Sequence, residues 1–198
     1  MKNSVLLVID VQNDFCPGGS LAVGGGNDIV PLVNTLGHDF EHVVLTQDWH
    51  PVGHSSFASQ HPGHAPFTQI EMPYGPQTLW PDHCIIGSEG ARFHKALDVP
   101  HAELIIRKGF RKSVDSYSAF FENDHKTPTG LGGYLKERGF TKITCIGLAF
   151  DYCVRYSAED AKALGFDVDV IEAATRAIAP GTAEATRQSF REKGIVLK

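Results

Sequence analysis

The sequence predicts an α/β fold on a mainly parallel six-stranded sheet flanked by helices. Three observations carry that expectation: short β-rich runs recur along the chain, several are apolar without alternation, and helical patterns connect some of them. A length of 198 residues, with 42% hydrophobic and 21% charged, suits one soluble domain over residues 1–198 with a substantial core. The first strand is "SVLLVID" from Ser4, whose apolar run breaks at Asp10; it is too short for a signal-peptide core or a bilayer span, so a cytoplasmic protein is expected. The helix "DIVPLVNTL" and the strand "HVVLT" from His42 follow. Beyond them come the strand "ELIIRKG" from Glu103, the helix "TGLGGYLKERG" and the strand "KITCIG" from Lys142. The helix "CVRYSAEDAKALG", the strand "DVDVIEA" from Asp167, the helix "TAEATRQSFREKG" and a closing "GIVLK" complete the pattern.

One region breaks it. From Trp49 to about Gly87 the chain lacks periodicity and holds Pro51, Pro62, Pro66, Pro73, Pro76 and Pro81 together with His50, His54, His61, His64 and His83. A long irregular segment carrying aromatic and metal-type residues points to function rather than disorder. The formal net charge of -5 and the absence of any Lys/Arg block exclude the basic footprint of a nucleic-acid or anionic-membrane partner. Cys16, Cys84, Cys145 and Cys153 are expected to stay reduced, so each has to be explained as a thiol.

In a parallel α/β sheet ligands bind beyond the carboxyl ends of the strands, which makes strand-terminal residues informative. The first strand ends in Asp10, the second runs into Asp48 and His50, the third into Lys108, and the fourth turns through "GLAFDYC" to Cys153. Taken singly, Asp10 suits a turn, Lys108 a solvated charge, and Asp48 with His50 a loop cap; their joint placement at one sheet edge argues for chemistry. Cys153 at a helix start, capped by Asp151 or a neighbour, meets unpaired N–H groups and the positive end of a dipole, which favour a thiolate nucleophile. The apolar stripe Val154, Ala158, Ala161 and Leu164 packs that helix without needing the cysteine. Cys145 alternates inside a strand as a small buried hydrophobe, while Cys16 and Cys84 stay ambiguous. Asp10 is the best placed base for the thiol, Lys108 balances the charge, and Gly147 and Ala149 leave room for backbone N–H groups to meet an oxyanion: amide or ester chemistry. Asp48 and His50, at i and i+2 on an extended segment, project to one side and with His83 make a ligand set for zinc, iron or manganese. His54 is either a fourth ligand or a residue behind the set, and His61 and His64 are expected at the surface.

At these residues the chain resembles the nicotinamidase (pyrazinamidase) family of the isochorismatase-like cysteine hydrolase superfamily. The matching stretches are "VIDVQNDFCPGGSL" at Val8, "TQDWHPVGHSSFA" at Thr46, "LWPDHC" at Leu79, "RKGF" at Arg107 with "DSYSAF" after it, and "GLAFDYCV" at Gly147. The resemblance covers essentially the whole chain and implies a Rossmann-like three-layer fold and conversion of nicotinamide to nicotinate and ammonia, with pyrazinamide also accepted. It implies Asp10, Lys108 and Cys153 as the catalytic triad and Asp48, His50 and His83 as ligands of one divalent metal that orients the pyridine nitrogen. It further implies rings at Phe15, Trp80 and Tyr117 around the planar substrate, and a cis peptide between Leu148 and Ala149 that exposes the N–H groups of Ala149 and Cys153 as an oxyanion hole. Phe150 stands where the family has a threonine, which puts the pocket wall in question. The implied partner is the small-molecule substrate, with a homo-oligomer possible.

Two other readings compete. A metal-free amidase of the same superfamily leaves Asp48, His50 and His83 without a role, and a redox or metal-binding protein leaves Asp10 and Lys108 unexplained and has no CxxC motif. "PGGSLAVGGG" lacks the GxGxxG spacing of a dinucleotide site.

Overall fold

A strand of six consecutive apolar or small residues has to be covered on both faces. In the computed structural model, which describes residues 3–198, this strand is β1, Ser4–Ile9, and all six residues are buried. It is followed by α1 (Val30–Asp39), β2 (Val43–Asp48), β3 (Gln69–Met72), β4 (Gly75–Thr78), β5 (Leu104–Lys108), α2 (Leu131–Glu137) and β6 (Lys142–Leu148). The chain closes with α3 (Arg155–Ala163), β7 (Asp167–Arg176), α4 (Pro180–Lys193) and β8 (Val196–Leu197). Six strands form one sheet in the order β5-β2-β1-β6-β7-β8, and every neighbouring pair is parallel.

Alternation along β1 divides the interior in two. Val5, Leu7 and Ile9 meet Leu131 and Leu135 of α2, Ala158 and Ala161 of α3, and Phe190 of α4. Leu6 and Val8 point the other way, toward Val30 and Val33 of α1 and Val99. The result is three layers, as expected. Val154, Ala158 and Ala161 are fully buried and Leu164 packs at the edge of the same core, so the apolar stripe behaves as its spacing predicts. Among the described residues no helix is long and apolar enough to cross a membrane.

The structure departs from the sequence reading inside the irregular stretch, where β3 and β4 pair as an antiparallel hairpin. Its Pro76 and Gly75 conceal it, because proline and glycine weaken a strand pattern yet are tolerated in a two-stranded ribbon, where every strand is an edge. The turn before Cys153 is also different. Residues Phe150–Val154 form a single π-helical turn ahead of α3, and no side chain caps it. Asp151 instead reaches across to α4, accepting the Ile178 and Ala179 N–H groups at 2.9 and 3.1 Å.

From β1 the chain builds outward through β2 to β5, then returns to β6 on the other side and continues to β7 and β8. The reversal lies between β1 and β6, and a crevice forms at such a switch point, beyond the carboxyl ends of the strands. There the two backbones are close: Gly147 pairs with Ile9 at φ +113°, and a Cβ on it would lie 2.0 Å from the Ile9 carbonyl oxygen. Gly147→Ala is therefore expected to destabilise the protein by more than about 3 kcal/mol in thermal or urea unfolding. Gly133→Ala, on the open face of α2 with nothing within 4 Å of the added carbon, should gain about 0.5–1 kcal/mol. Equal effects of the two would contradict the close approach.

Candidate active site

Four neighbouring strands deliver side chains to this crevice. Asp10 directly follows β1, Asp48 ends β2, Lys108 ends β5, and Cys153 lies in the π turn after β6. Asp10 adopts φ +48°, a left-handed conformation that aspartate tolerates better than most residues. Its backbone N–H donates to Thr46 Oγ1 at 3.1 Å, and the same hydroxyl donates back to Asp10 Oδ1. The Lys108 ammonium is the centre of the cluster: Nζ lies 2.9 Å from Asp10 Oδ2, 2.8 Å from Asp48 Oδ1, 2.9 Å from the Ser116 carbonyl oxygen and 3.4 Å from Cys153 Sγ. Four acceptors surround three protons. Asp10 and Lys108 are essentially inaccessible to water, and Cys153 is 6% exposed.

Burial and charge set the protonation states. Burial tends to lower the Lys108 pKa, but the charges of Asp10 and Asp48 overcome it and hold it well above the ordinary lysine value. Burial raises Asp10 above the ordinary carboxylate range, opposed by Lys108. Burial would also raise Asp48, yet Lys108 and His50 together hold it well below that range. Burial pushes the Cys153 thiol well above its ordinary value, with Lys108 pulling it down and Asp10 and Asp48 pushing it further up. The thiolate expected from a helix N-terminus is thus corrected: burial outweighs the pull of the Lys108 charge and holds the thiol above its ordinary value, beside a carboxylate able to take its proton.

The second cluster adjoins the first. Gln12, fully buried, clamps the Asp48 backbone, with Oε1 accepting the Asp48 N–H at 2.8 Å and Nε2 donating to the Asp48 carbonyl at 2.9 Å. His50 N–H donates to the Cys84 carbonyl and Ile86 N–H to the His50 carbonyl, a short parallel bridge that brings His83 beside His50. His50 Nδ1 donates to the Gly109 carbonyl at 2.9 Å and His83 Nδ1 to the Pro81 carbonyl at 2.8 Å. Both rings therefore present Nε2 to one point, each 3.3 Å from Asp48 Oδ2. Gly109 permits this: at φ +70°, a Cβ there would lie 2.5 Å from His50 Cε1. His50 Nε2 is buried without a hydrogen-bond partner, and the ligand atoms of Asp48, His50 and His83 lie within 4.8 Å of one another. Such an orphaned lone pair beside a carboxylate fits a divalent metal ion. His54 is excluded from the set. Its Nε2 donates to the Arg111 and Val114 carbonyls and its Nδ1 accepts from Ser56, so no lone pair is free; the ring packs 4.3 Å from His50.

A narrow pocket connects the two clusters. Asp48, His83 and Asp115 stand on the metal side and Ala149 and Cys153 on the other, with Phe15, Trp80, Tyr117 and Tyr152 as walls. Trp80 Nε1 and Gln77 Nε2 both donate to the Tyr117 hydroxyl, fixing the ring. Trp80 and Tyr152 meet edge to face at 4.8 Å. The Leu148–Ala149 peptide is cis.

A family model described as the isochorismatase domain matches residues 4–197. The chain belongs to the isochorismatase domain family. A nicotinamidase of Acinetobacter baylyi is 54% identical over 177 residues, covering 89% of this chain and 83% of its own. The solved structure of a nicotinamidase/pyrazinamidase of Acinetobacter baumanii matches with a TM-score of 0.98 at 52% identity, covering 100% of this chain and 96% of that one. A pyrazinamidase of Pyrococcus horikoshii, solved in complex with zinc, matches with a TM-score of 0.83 at 32% identity, covering 99% and 98%.

In this isochorismatase-family chain the residues singled out from sequence converge on one crevice: Asp10, Lys108 and Cys153 in one cluster, Asp48, His50 and His83 in the other, and Phe15, Trp80 and Tyr117 between them. Phe150 does not touch the pocket wall; it is buried on the opposite side, 5.7 Å from Phe190. His61 is half-buried, with Nε2 donating to the Ser55 carbonyl, rather than at the surface. Gln12, Asp115 and Tyr152 were not anticipated. Tyr152 had a signal, as the neighbour of the nucleophile candidate, whereas Gln12 and Asp115 show their importance only through burial.

Elemental analysis should find one divalent ion per chain, lost in Asp48→Ala and His83→Ala and retained in His54→Ala. Affinity should fall as pH falls. Burial lowers the His50 pKa but the Asp48 charge raises it above the ordinary value, so protons compete with the metal for Nε2 to a higher pH than for an ordinary imidazole. Below that pKa the loss is about tenfold per pH unit. An affinity unchanged between pH 6 and 8 would contradict His50 as a ligand.

Proposed function

We propose that this chain is a nicotinamidase: a metal-dependent cysteine amidohydrolase that converts nicotinamide to nicotinate and ammonia, also accepts pyrazinamide, and serves NAD salvage. The observation that carries the reading is one aromatic pocket with a thiol, carboxylate and ammonium at one end and an orphaned Asp/His/His donor set at the other. Its relatives named nicotinamidase and pyrazinamidase support the substrate class. We read the whole chain as a single catalytic domain acting in the cytoplasm, with zinc, iron or manganese as the metal; zinc is the ion bound by the Pyrococcus horikoshii relative.

In this reading Asp10 takes the proton from Cys153 Sγ as the sulfur attacks the carboxamide carbon. Its raised pKa narrows the gap to the thiol, which makes it a stronger base than an ordinary carboxylate. Lys108 stays an ammonium and keeps the two carboxylates and the developing thiolate in one charge-balanced cluster. The backbone N–H groups of Ala149 and Cys153 receive the oxyanion. Asp10 then passes its proton to the departing nitrogen, and the C–N bond breaks to leave ammonia and a thioester on Cys153. Asp10 deprotonates a water molecule that attacks the thioester, and nicotinate leaves as the sulfur regains a proton. A divalent ion held by Asp48, His50 and His83 supplies a Lewis-acid contact for a ring nitrogen. Phe15, Trp80, Tyr117 and Tyr152 hold the ring plane so that the amide faces the sulfur.

Ammonia release tests the assignment. Nicotinamide should be the best substrate, pyrazinamide accepted, and benzamide slower by on the order of 10²-fold because it lacks the ring nitrogen. Cys153→Ala should remain folded with turnover down on the order of 10⁴-fold or more. Asp10→Asn and Lys108→Ala should each lose on the order of 10²–10⁴-fold. Cys145→Ala, by contrast, should lose about 1–2 kcal/mol of stability and little activity. A simple carbamoyl compound far better than nicotinamide would overturn the assignment, and full activity without stoichiometric metal would favour a metal-free amidase.

A further inference from the structure

Asp115 has no role in the chemistry above, yet it is 2% exposed and lines the pocket on the metal side. Its Oδ1 accepts the Ser116 N–H at 2.8 Å and its Oδ2 accepts Gln77 Nε2 at 2.8 Å. The amide orientation is fixed because Gln77 Oε1 accepts from Asn123 Nδ2 at 3.0 Å. Both oxygens of Asp115 therefore act as acceptors, as in a carboxylate. Among the described residues its only ion-pairing partner is His50, whose Nε2 lies 4.0 Å from Oδ1 and is the atom without a hydrogen bond. That nitrogen is the one which, in a ligating imidazole, is neutral. Asp115 is left as a buried negative charge with no cation of the protein to match it.

The charge count of the crevice makes this specific. Asp10, Asp48 and Asp115 bring three buried carboxylates against the single buried ammonium of Lys108, leaving two negative charges unmatched. A divalent ion is what restores neutrality. Geometry keeps Asp115 out of the ligand set itself: the ligand atoms of Asp48, His50 and His83 form one group within 4.8 Å, while Asp115 joins His50 and His54 in another.

We propose that Asp115 is a positioning residue for the metal, the second carboxylate that matches its charge from behind His50 without being one of its ligands. The proposal rests on the reading of Asp48, His50 and His83 as a divalent-metal site. It also accounts for the buried Gln77, whose amide holds Asp115 in place, with the hairpin β3–β4 carrying Gln77 over the pocket.

The full chain, stripped of metal, is titrated with Zn²⁺ against a chromogenic chelator, and its melting temperature is measured without metal. Asp115→Asn keeps the shape and removes the charge. Its Zn²⁺ affinity should fall by about 10–100-fold at unchanged stoichiometry. Its metal-free melting temperature should fall as well, because the new amide NH2 meets the Ser116 or Gln77 N–H that the carboxylate accepted. Gln77→Leu, which keeps the charge and removes its hydrogen bond, should lower the melting temperature and change the affinity by less than about threefold. A merely structural Asp115 predicts that the two variants, both less stable, lose affinity alike. Parent-like affinity in Asp115→Asn, or a loss of tenfold or more in Gln77→Leu, overturns the proposal alone. A parent chain that binds no Zn²⁺ overturns the metal reading beneath it, and this is seen before any variant is compared.

Discussion

The buried Lys108 ammonium is the constraint on which the rest of the site depends. A lysine with no contact to water is tolerated only when its charge is matched, and here Asp10 and Asp48 match it from the ends of two other strands. The parallel register is what makes this possible. β2 pairs Asp48 directly with Lys108 of β5, and β1 lies on the other side of β2, so three strand ends meet at one point. Removing Lys108 leaves both carboxylates buried without their counter-charge, and breaking a buried pair in this way typically costs about 3–5 kcal/mol. The cluster is therefore structural and chemical at once.

Asp48 joins the two halves of the site. Its Oδ1 belongs to the ammonium and its Oδ2 faces both imidazole nitrogens, so the thiol cluster and the metal cluster share one carboxylate. The Gln12 clamp on its backbone keeps that division of labour fixed. The pocket between them is built from aromatic rings whose polar atoms are already engaged with one another. Such walls admit a flat, mostly apolar ligand with polar groups at two ends, and they exclude the water that would weaken the ion pairs.

Much of this was legible in the sequence because strand ends are legible. The apolar runs from Ser4, His42, Glu103 and Lys142 mark where strands stop, and in a parallel sheet the stopping points of neighbours converge. The metal ligands were readable for a different reason: Asp48 and His50 share one side of an extended segment by spacing alone. His83 came less directly, because a bridge between residues 50 and 85 brings it in and no local pattern encodes that contact. The hairpin β3–β4 was hidden by its proline and glycine. Cys153 shows the limit of local reasoning: a helix start argues for a thiolate, but burial by distant elements raises its pKa. Asp151, a candidate with its neighbours for the cap of the Cys153 helix, instead accepts the Ile178 and Ala179 N–H groups just before α4, a through-space contact that no local pattern encodes. Gln12 and Asp115 carry no signature in type or spacing; only their burial marks them.

The central claim is that Lys108 tunes the thiol through charge rather than through packing. The most direct measurement is the pH profile of alkylation at Cys153, followed by peptide mass spectrometry in the parent and in Lys108→Met. Cys145, a buried thiol pushed up to about 12, serves as an internal control for folding, since it reacts only if the core opens. The account predicts that Cys153 in Lys108→Met alkylates at least about tenfold more slowly at neutral pH, with its profile moved to higher pH, while Cys145 stays protected in both. Superimposable Cys153 profiles in two folded proteins would contradict it.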